Sequence, residues 1–321
     1  MGIKILGTGS ALPTRVVTNH DLSLILDTSD EWIRTRTGIR TRHILGEGES
    51  LVSLAADATR AALDMAAHTV SAEEIDLLVC CTVGGDYTSP AMACLVQAAV
   101  GLGEHAVTLD INMGCCGFLY GLQVAEAYLA AGMAQNAVVL AAEGLSRHAD
   151  WTDRSTACLF GDAAAAVVVT RSDTPTLFTC KVSGDDTGLG IHRGVDNCPY
   201  HPFGEPHKLY MNGQEIYKFA VSSVPDRIEE LLRRANVPAE EVSYFFLHQA
   251  NMRILDSAVR RLGVSPEKIP HNIEDVGNTS SASIPLLLDR ENRLGHLHAG
   301  ERLVLCAFGA GLASAACLLT W

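Results

Sequence analysis

Residues 110–120, Asp-Ile-Asn-Met-Gly-Cys-Cys-Gly-Phe-Leu-Tyr, hold two thiols between two glycines. A β-like run, Ala106-Val-Thr-Leu109, precedes them, and an almost uncharged helical pattern over residues 119–132 follows. A cysteine at a strand-to-helix turn meets outward-pointing backbone N–H groups, which favour the nucleophilic thiolate. Gly114 and Gly117 let the backbone bend and a substrate approach. Cys115 is the candidate nucleophile. The plainer alternative makes Cys115 and Cys116 small buried hydrophobes on a core helix, and this stretch alone favours that alternative.

Three further stretches change the balance. Leu247-His248-Gln-Ala-Asn-Met-Arg253 puts a histidine at a strand end, before a helix. Val276-Gly-Asn278-Thr-Ser puts an asparagine on a turn that leads into another helix. Phe308-Gly-Ala-Gly311 exposes backbone N–H groups. Singly these are a satisfied polar residue and ordinary turns. Together they place Cys, His and Asn at the ends of separate strands.

The elements that must carry them form an α/β pattern. Residues 3–6 read as a short strand, broken by Gly7-Thr-Gly-Ser-Ala-Leu-Pro13. Asn19 is expected to cap a helix starting at His20, and Ser29 a second with acidic residues in its first turn. Arg34, Arg36, Arg40 and Arg42 beside Trp32 are either a solvated face or a phosphate site. Residues 50–67 and 90–102 read as helices, residues 75–83 as a buried parallel strand, and residues 137–142 and 158–170 as further β segments. Residues 211–235 are helical with Pro225 inside, which predicts a kink or a break. Residues 303–321 carry no charge, but Gly309-Ala-Gly311 divides them into two buried strands and not a membrane span.

An internal repeat organises these elements. Ala72-Glu-Glu-Ile-Asp-Leu-Leu resembles Ala239-Glu-Glu-Val-Ser-Tyr-Phe, and Phe160-Gly-Asp-Ala-Ala-Ala resembles Phe308-Gly-Ala-Gly-Leu-Ala, in the same order. Duplication explains both matches, with a boundary at the polar Ser172-Asp-Thr-Pro-Thr176. The expected halves are residues 1–172, carrying the cysteine, and 173–321, carrying His248 and Asn278. Residues 188–212 are rich in Gly, Pro and His and read as a cover over a site. His192, Cys198, His201 and His207 lie there, but their irregular spacing argues against a metal site.

Composition narrows the function. Of 321 residues 48% are hydrophobic and 19% charged, which describes a chain with a large core. A net charge of −13 argues against a nucleic-acid partner. An acidic partner would need a local basic patch. The ten cysteines lie mostly in apolar runs, and Met1-Gly-Ile-Lys-Ile-Leu-Gly7 leads straight into a strand without a signal-peptide pattern. The expectation is reduced thiols in a cytoplasmic protein. There is no CxxC or HExxH.

The chain resembles the β-ketoacyl-acyl-carrier-protein synthase III family of the thiolase superfamily over essentially its whole length. The resemblance rests on Asp27-Thr-Ser-Asp-Glu-Trp-Ile-Arg-Thr-Arg-Thr-Gly-Ile-Arg40, Cys115 with its Gly-Phe, His248-Gln-Ala-Asn251 and Gly277-Asn-Thr-Ser280. It implies a thiolase-like, duplicated α-β-α-β-α five-layer fold and a homodimer. The implied reaction condenses an acyl-CoA primer with malonyl-acyl carrier protein, releases carbon dioxide and starts fatty acid synthesis, with no metal or redox cofactor. Cys115, His248 and Asn278 would be catalytic, with the N–H groups of Cys115 and Ala310 as oxyanion hole. Thr28, Trp32, Arg36, Arg154, Lys218, Asn251 and Arg253 would bind CoA. Arg253, Arg260 and Arg261 would dock the carrier protein, and Ser89 and Met113 would shape the acyl pocket. The chain departs from the family at Ala310, in a glycine triplet; at Asn112 and Met113, usually small; and at Ser89, often bulky. The last bears on primer specificity and not on the reaction. The competing readings are a polyketide-starter condensing enzyme with the same three residues, an idle acyl- or CoA-binding module, and a thiol-redox protein using vicinal cysteines. An intact Cys-His-Asn set argues against the module, and the strain of a ring between adjacent cysteines against the redox protein.

Overall fold

A computed structural model describes residues 1–192 and 208–321. Two sheets form its frame. The first has five strands in the order β1 (Gly2–Ala11), β7 (Ala163–Ser172), β6 (Asn136–Glu143), β4 (Leu77–Cys81) and β5 (Val107–Ile111). The second has four, in the order β11 (Tyr244–Leu247), β12 (Arg302–Gly309), β13 (Ala313–Thr320) and β8 (Leu177–Lys181). Ribbons β2–β3 (Arg15–Thr18 with Thr41–Ile44) and β9–β10 (Leu189–Ile191 with Leu209–Met211) lie apart from them.

The strand alternation explains the layering. On β4, Leu77, Val79 and Cys81 face one way and Leu78 and Cys80 the other, all fully buried. A strand buried on both faces needs a cover on each. Helices α3 (Leu51–Ala66) and α4 (Met92–Val100) cover the outer face of the first sheet. Helices α7 (Gly213–Ala235) and α8 (Met252–Leu262) cover the outer face of the second. Between the sheets lie α5 (Gly117–Ala130) and α10 (Ser283–Arg293), packed on Val79 and Val139 on one side and Leu303 and Leu305 on the other. The five layers are helix, sheet, helix, sheet, helix.

The sheets repeat one topology. β4 is parallel to β6, which is antiparallel to β7, which is antiparallel to β1; β11, β12, β13 and β8 relate in the same way. The sequence repeats fall at matching places. Each Ala-Glu-Glu forms a short 3-10 turn (Ala72–Glu74, Ala239–Glu241) before the corresponding parallel strand. The copies differ at β5, an edge strand with no counterpart in the second sheet.

Several local expectations need correction. β1 does not end at residue 6 but runs to Ala11, with a register shift between Ile5 and Gly7. Its glycines are tertiary requirements: a Cβ on Gly9 would meet the Ala58 carbonyl of α3 at 2.2 Å, and one on Gly7 the Ala62 carbonyl at 2.3 Å. Thr18, not Asn19, caps α1 (Asn19–Ser23), in a reciprocal box with Asp21. Pro225 does not break α7, which continues through it as one 23-residue helix. Ser29 caps α2 (Asp30–Thr37) as expected, and residues 303–321 form β12 and β13. Among the described residues no helix is long and apolar enough to cross a membrane.

Candidate active site

Cys115 sits on a 3-10 turn (Gly114–Cys116) that joins β5 to α5. The neighbouring layers hold this turn. Gly309, at the end of β12, passes so close that a Cβ there would lie 2.9 Å from the Cys115 Cβ and 3.3 Å from its Sγ. After Gly309 the chain adopts positive φ at Gly311 (76°) and Leu312 (42°), but not at Ala310. Ala310 therefore fits where a third glycine would otherwise be required.

His248 follows the last residue of β11, and Asn278 lies on the turn after α9 (Ile273–Val276). The Asn278 N–H donates to Leu159 O (2.9 Å) and its carbonyl accepts from the Gly161 N–H (3.0 Å), tying this turn to the chain entering β7. Both side chains are nearly buried, at 1% and 6% exposure. With Cys115, Phe308 and Gly309 they line one small cavity of about 100 Å³. The structure thus brings the three predicted residues together from both sheets.

Burial acts differently on each. It pushes the Cys115 thiol up to about 12, against a hydrogen bond from Ser280 Oγ at 3.6 Å that favours the thiolate. Desolvation outweighs the turn's N–H groups, so burial opposes the thiolate that the local sequence favours. Burial pushes His248 down to about 3, so the ring is neutral. Its Nδ1 lies 2.7 Å from Ser283 Oγ, a hydroxyl that also accepts from the Gln249 N–H. A ring with its proton on Nε2 takes the Ser283 hydroxyl as its donor at Nδ1. Asn278 Oδ1 accepts from the Ser280 N–H at 2.9 Å, leaving the side-chain NH2 as a donor.

Two further cavities adjoin this one. One of about 340 Å³ is lined by Trp32, Arg36, Arg154, Tyr217, Asn251 and Arg253, and shares Leu159, Met211 and Tyr217 with the small cavity. The Arg36 and Arg154 guanidinium carbons lie 4.5 and 4.9 Å from the Trp32 ring centroid. Arg154 lies on α6 (Arg154–Ala157). Arg253 lies 5.4 Å from the Tyr217 ring. Thr28 and Lys218 do not line this cavity; Lys218 is paired with Glu215 on α7. The other, of about 810 Å³, reaches from Cys115 past Thr82, Asp86, Asn112, Leu145 and His148. Asn112 lines it, whereas Met113 packs against the central core. Ser89 is exposed and does not line the cavity of its own chain.

On α8, Arg253, Arg260 and Arg261 are exposed. Arg261 is held by Asp226 of α7 at 2.8 Å, and Asp256 shares the face of Arg253 and Arg260. His192 stacks on Tyr210, 4.9 Å between centroids. Cys198, His201 and His207 lie outside the described residues. Among the described residues no cluster could hold a metal ion, and the nine described cysteines are free thiols.

Sequence reasoning missed Glu143, Ser281 and Ser283. Glu143 ends the otherwise uncharged β6 with zero exposure. An acid closing an uncharged buried strand, with no base beside it in sequence, was the available signal.

The description "3-Oxoacyl-[acyl-carrier-protein (ACP)] synthase III" matches residues 109–185, and that of its C-terminal part matches residues 232–321. A β-ketoacyl-[acyl-carrier-protein] synthase III from Neisseria meningitidis serogroup A is 42% identical over 99% of both chains. This chain belongs to the 3-oxoacyl-[acyl-carrier-protein] synthase III family. A chloroplastic synthase III of Arabidopsis thaliana is 41% identical over all of this chain and 83% of its own. The crystal structure of the synthase III from Aquifex aeolicus VF5 superposes with a TM-score of 0.91 at 40% identity, covering both chains completely. The priming β-ketosynthase of the R1128 polyketide pathway also reaches 0.91, at 33% identity over 99% of this chain and 96% of its own. These likenesses place the five layers in the thiolase-like fold, and the family is one of condensing acyltransferases.

Proposed function

We propose that the chain condenses an acyl-CoA primer with malonyl-acyl carrier protein to give 3-oxoacyl-acyl carrier protein and carbon dioxide, initiating fatty acid synthesis. The observation that carries this is the convergence of Cys115, His248 and Asn278 on one small cavity. The Cys115 sulfur attacks the thioester carbonyl, and the N–H groups of Cys115 and Ala310 receive the developing oxyanion. CoA leaves as its thiol, and the acyl chain extends into the larger cavity. The malonyl thioester then loses carbon dioxide, and charge gathers on its thioester oxygen. His248 Nε2–H and the Asn278 NH2 donate to that oxygen. Neither donor is charged, so the enolate forms without a resident cation. The carbanion attacks the acyl thioester, and Cys115 is released.

Trp32, with Arg36 and Arg154 beside its ring, suits a flat cationic-stacking platform for adenine. Arg253 and Asn251 extend the same wall toward the small cavity, and Thr28 and Lys218 lie outside it. Arg253 and Arg260 offer an acidic carrier protein a basic face on an acidic molecule, with Arg261 behind them. A homodimer fits the unpaired edge of β5, where Val107 is 43% exposed. Ser89 would then enter the partner's acyl cavity. Free thiols suit a reducing, cytoplasmic setting. Two similar halves, residues 1–172 and 173–321, would each supply part of the site.

Intact-mass and peptide-mapping analysis after mixing with acetyl-, isobutyryl- and hexanoyl-CoA tests this reading. One acyl group on Cys115 is expected; acyl transfer to Cys116 or to none overturns it. The likeness to a polyketide priming enzyme, at 33% identity, supports a second reading in which the extender is a polyketide carrier protein. Turnover with each purified carrier separates the two.

A further inference from the structure

Behind the nucleophile lies a carboxyl group that the reaction as described does not use. Glu143 is fully buried at the end of β6. Its Oε1 accepts from Ser281 Oγ (2.6 Å), Ser280 Oγ (3.1 Å) and the Ser281 N–H (3.4 Å), and its Oε2 from the Val83 N–H (3.1 Å). Among the described residues no cation pairs with it. The titratable groups near it are Cys115 and, from β4, Cys81, with Cys80 on the opposite face of the sheet, and its negative charge opposes ionisation of all three. β7, its other neighbour in the sheet, meets it with Ala163.

Ser280 stands between this carboxyl and the nucleophile. Its Oγ is 3.1 Å from Glu143 and 3.6 Å from Cys115 Sγ, and its backbone is held at φ 51°. One hydroxyl has one proton and cannot donate both ways. We propose that Glu143 is a positioning residue for Cys115: by holding or releasing a proton it decides whether the Ser280 hydroxyl faces the carboxylate or the sulfur. With Glu143 ionised, both serine hydroxyls point at it, and Cys115 is left with a lone pair and a nearby negative charge, which keep it a thiol. With Glu143 neutral, its own O–H donates to Ser281 Oγ, whose hydroxyl proton turns to the Cys81 carbonyl 3.4 Å away. The Ser280 proton is then free for the Cys115 thiolate. No covalent step is involved, and the proton stays within the cluster or comes from solvent. Burial pushes the Glu143 carboxyl up to about 7, so both arrangements are populated around neutral pH. This inference rests on Cys115 being the acylated nucleophile.

The test is the pH dependence of Cys115 alkylation by iodoacetamide and of its acylation by acetyl-CoA, both located by peptide mapping. Wild type should show an inflection near pH 7 ahead of the thiol's own ionisation. Glu143→Gln, neutral at every pH, should lack it and react faster above pH 8, by about tenfold if the groups are coupled by one pH unit. Glu143→Asp should restore an inflection. Ser280→Ala should weaken the inflection, and this measurement stands even if Glu143→Gln does not fold. Label on Cys115 with the inflection unchanged in Glu143→Gln or in Ser280→Ala overturns the proposal and leaves the function intact. Uniformly slower reaction with an unaltered profile would mean a structural carboxyl only and also overturns it. Label on another cysteine instead defeats the assignment of the nucleophile.

Discussion

Two sides of one cavity use burial in opposite ways. On the Cys115 side the chemistry needs a thiolate, and burial resists it by pushing the thiol up to about 12. On the His248 side the chemistry needs neutral donors, and burial provides them by holding the ring pKa near 3. The two sides come from different sheets, Cys115 from the strand–turn–helix after β5 and His248 from the end of β11. Burial thus suits the His248 side to decarboxylation, whereas acyl transfer needs local help from N–H groups and from Ser280.

Removing the sulfur breaks this comparison most completely. Cys115→Ala should abolish acylation and condensation, yet the His248 side stays intact, so slow decarboxylation of malonyl-acyl carrier protein should persist. Release of labelled carbon dioxide measures it. Loss of both activities would show that the sides do not work independently.

The converse variants come next in size. His248→Ala and Asn278→Ala should each lower decarboxylation by roughly 100- to 1,000-fold, the cost of one preorganised donor to an oxyanion. Acylation of Cys115, followed by mass spectrometry, should change far less. The wild-type decarboxylation rate should also show no His248 titration between pH 5 and 8. A histidine with a depressed native pKa is neutral in the fold, so the unfolded state binds more protons as pH falls below about 6.5. Its contribution to stability is therefore present at neutral pH and is lost as pH falls from about 6.5 toward 3. Thermal melts of wild type and His248→Gln should converge over that range. An inflection in decarboxylation near pH 6.5 would mean that His248 is not desolvated in solution.

What the sequence revealed follows the same division. Cys115, His248 and Asn278 were legible because each sits in a contiguous motif, the first two after a strand and Asn278 on the turn after α9, where the sequence suggests a strand end. Continuous apolar runs, residues 75–83 and the uncharged residues 303–321 split by Gly309-Ala-Gly311, were enough to expect buried strands. Glu143 stood out only as an acid closing an uncharged strand, and its role was not legible: its partners Ser280 and Ser281 are 137 and 138 residues away, and only folding brings them together. The extent of β1 was misread because glycine normally punctuates a strand. Here Gly7 and Gly9 make room for the backbone of α3, a demand that no window of β1 contains.

A smaller effect lies on the surface. Charge reversal at Arg260 should raise the KM for malonyl-acyl carrier protein by about three- to tenfold, more at low salt than at high, because exposed pairs are weak and screened. Acyl-CoA kinetics should hardly move. Equal damage to both substrates would make α8 a CoA element alone, and no effect would point to Asp256 having already neutralised that face.

The smallest expected change concerns the far end of the acyl cavity. Met113 packs into the core and Leu145 lines the wall, so of the two side chains only Leu145 occupies space there. The remaining contribution would come from a partner subunit, through Ser89. Replacing a ring by a hydroxymethyl group leaves room for longer or branched primers without expelling acetyl. Each methylene in an apolar pocket shifts discrimination by about 1–3 kcal/mol, and the lining here is partly polar, with Thr82, Asp86 and Asn112, which places the effect at the low end. Ser89→Phe should therefore lower kcat/KM for hexanoyl-CoA and isobutyryl-CoA by about tenfold while changing acetyl-CoA little. In the proposed dimer the side chain acts across the interface, so the loss should follow dimerisation: in mixed dimers only the site facing the phenylalanine should discriminate. Unchanged primer ratios would remove Ser89 from the pocket and leave specificity to the Asn112 and Leu145 walls of a single chain.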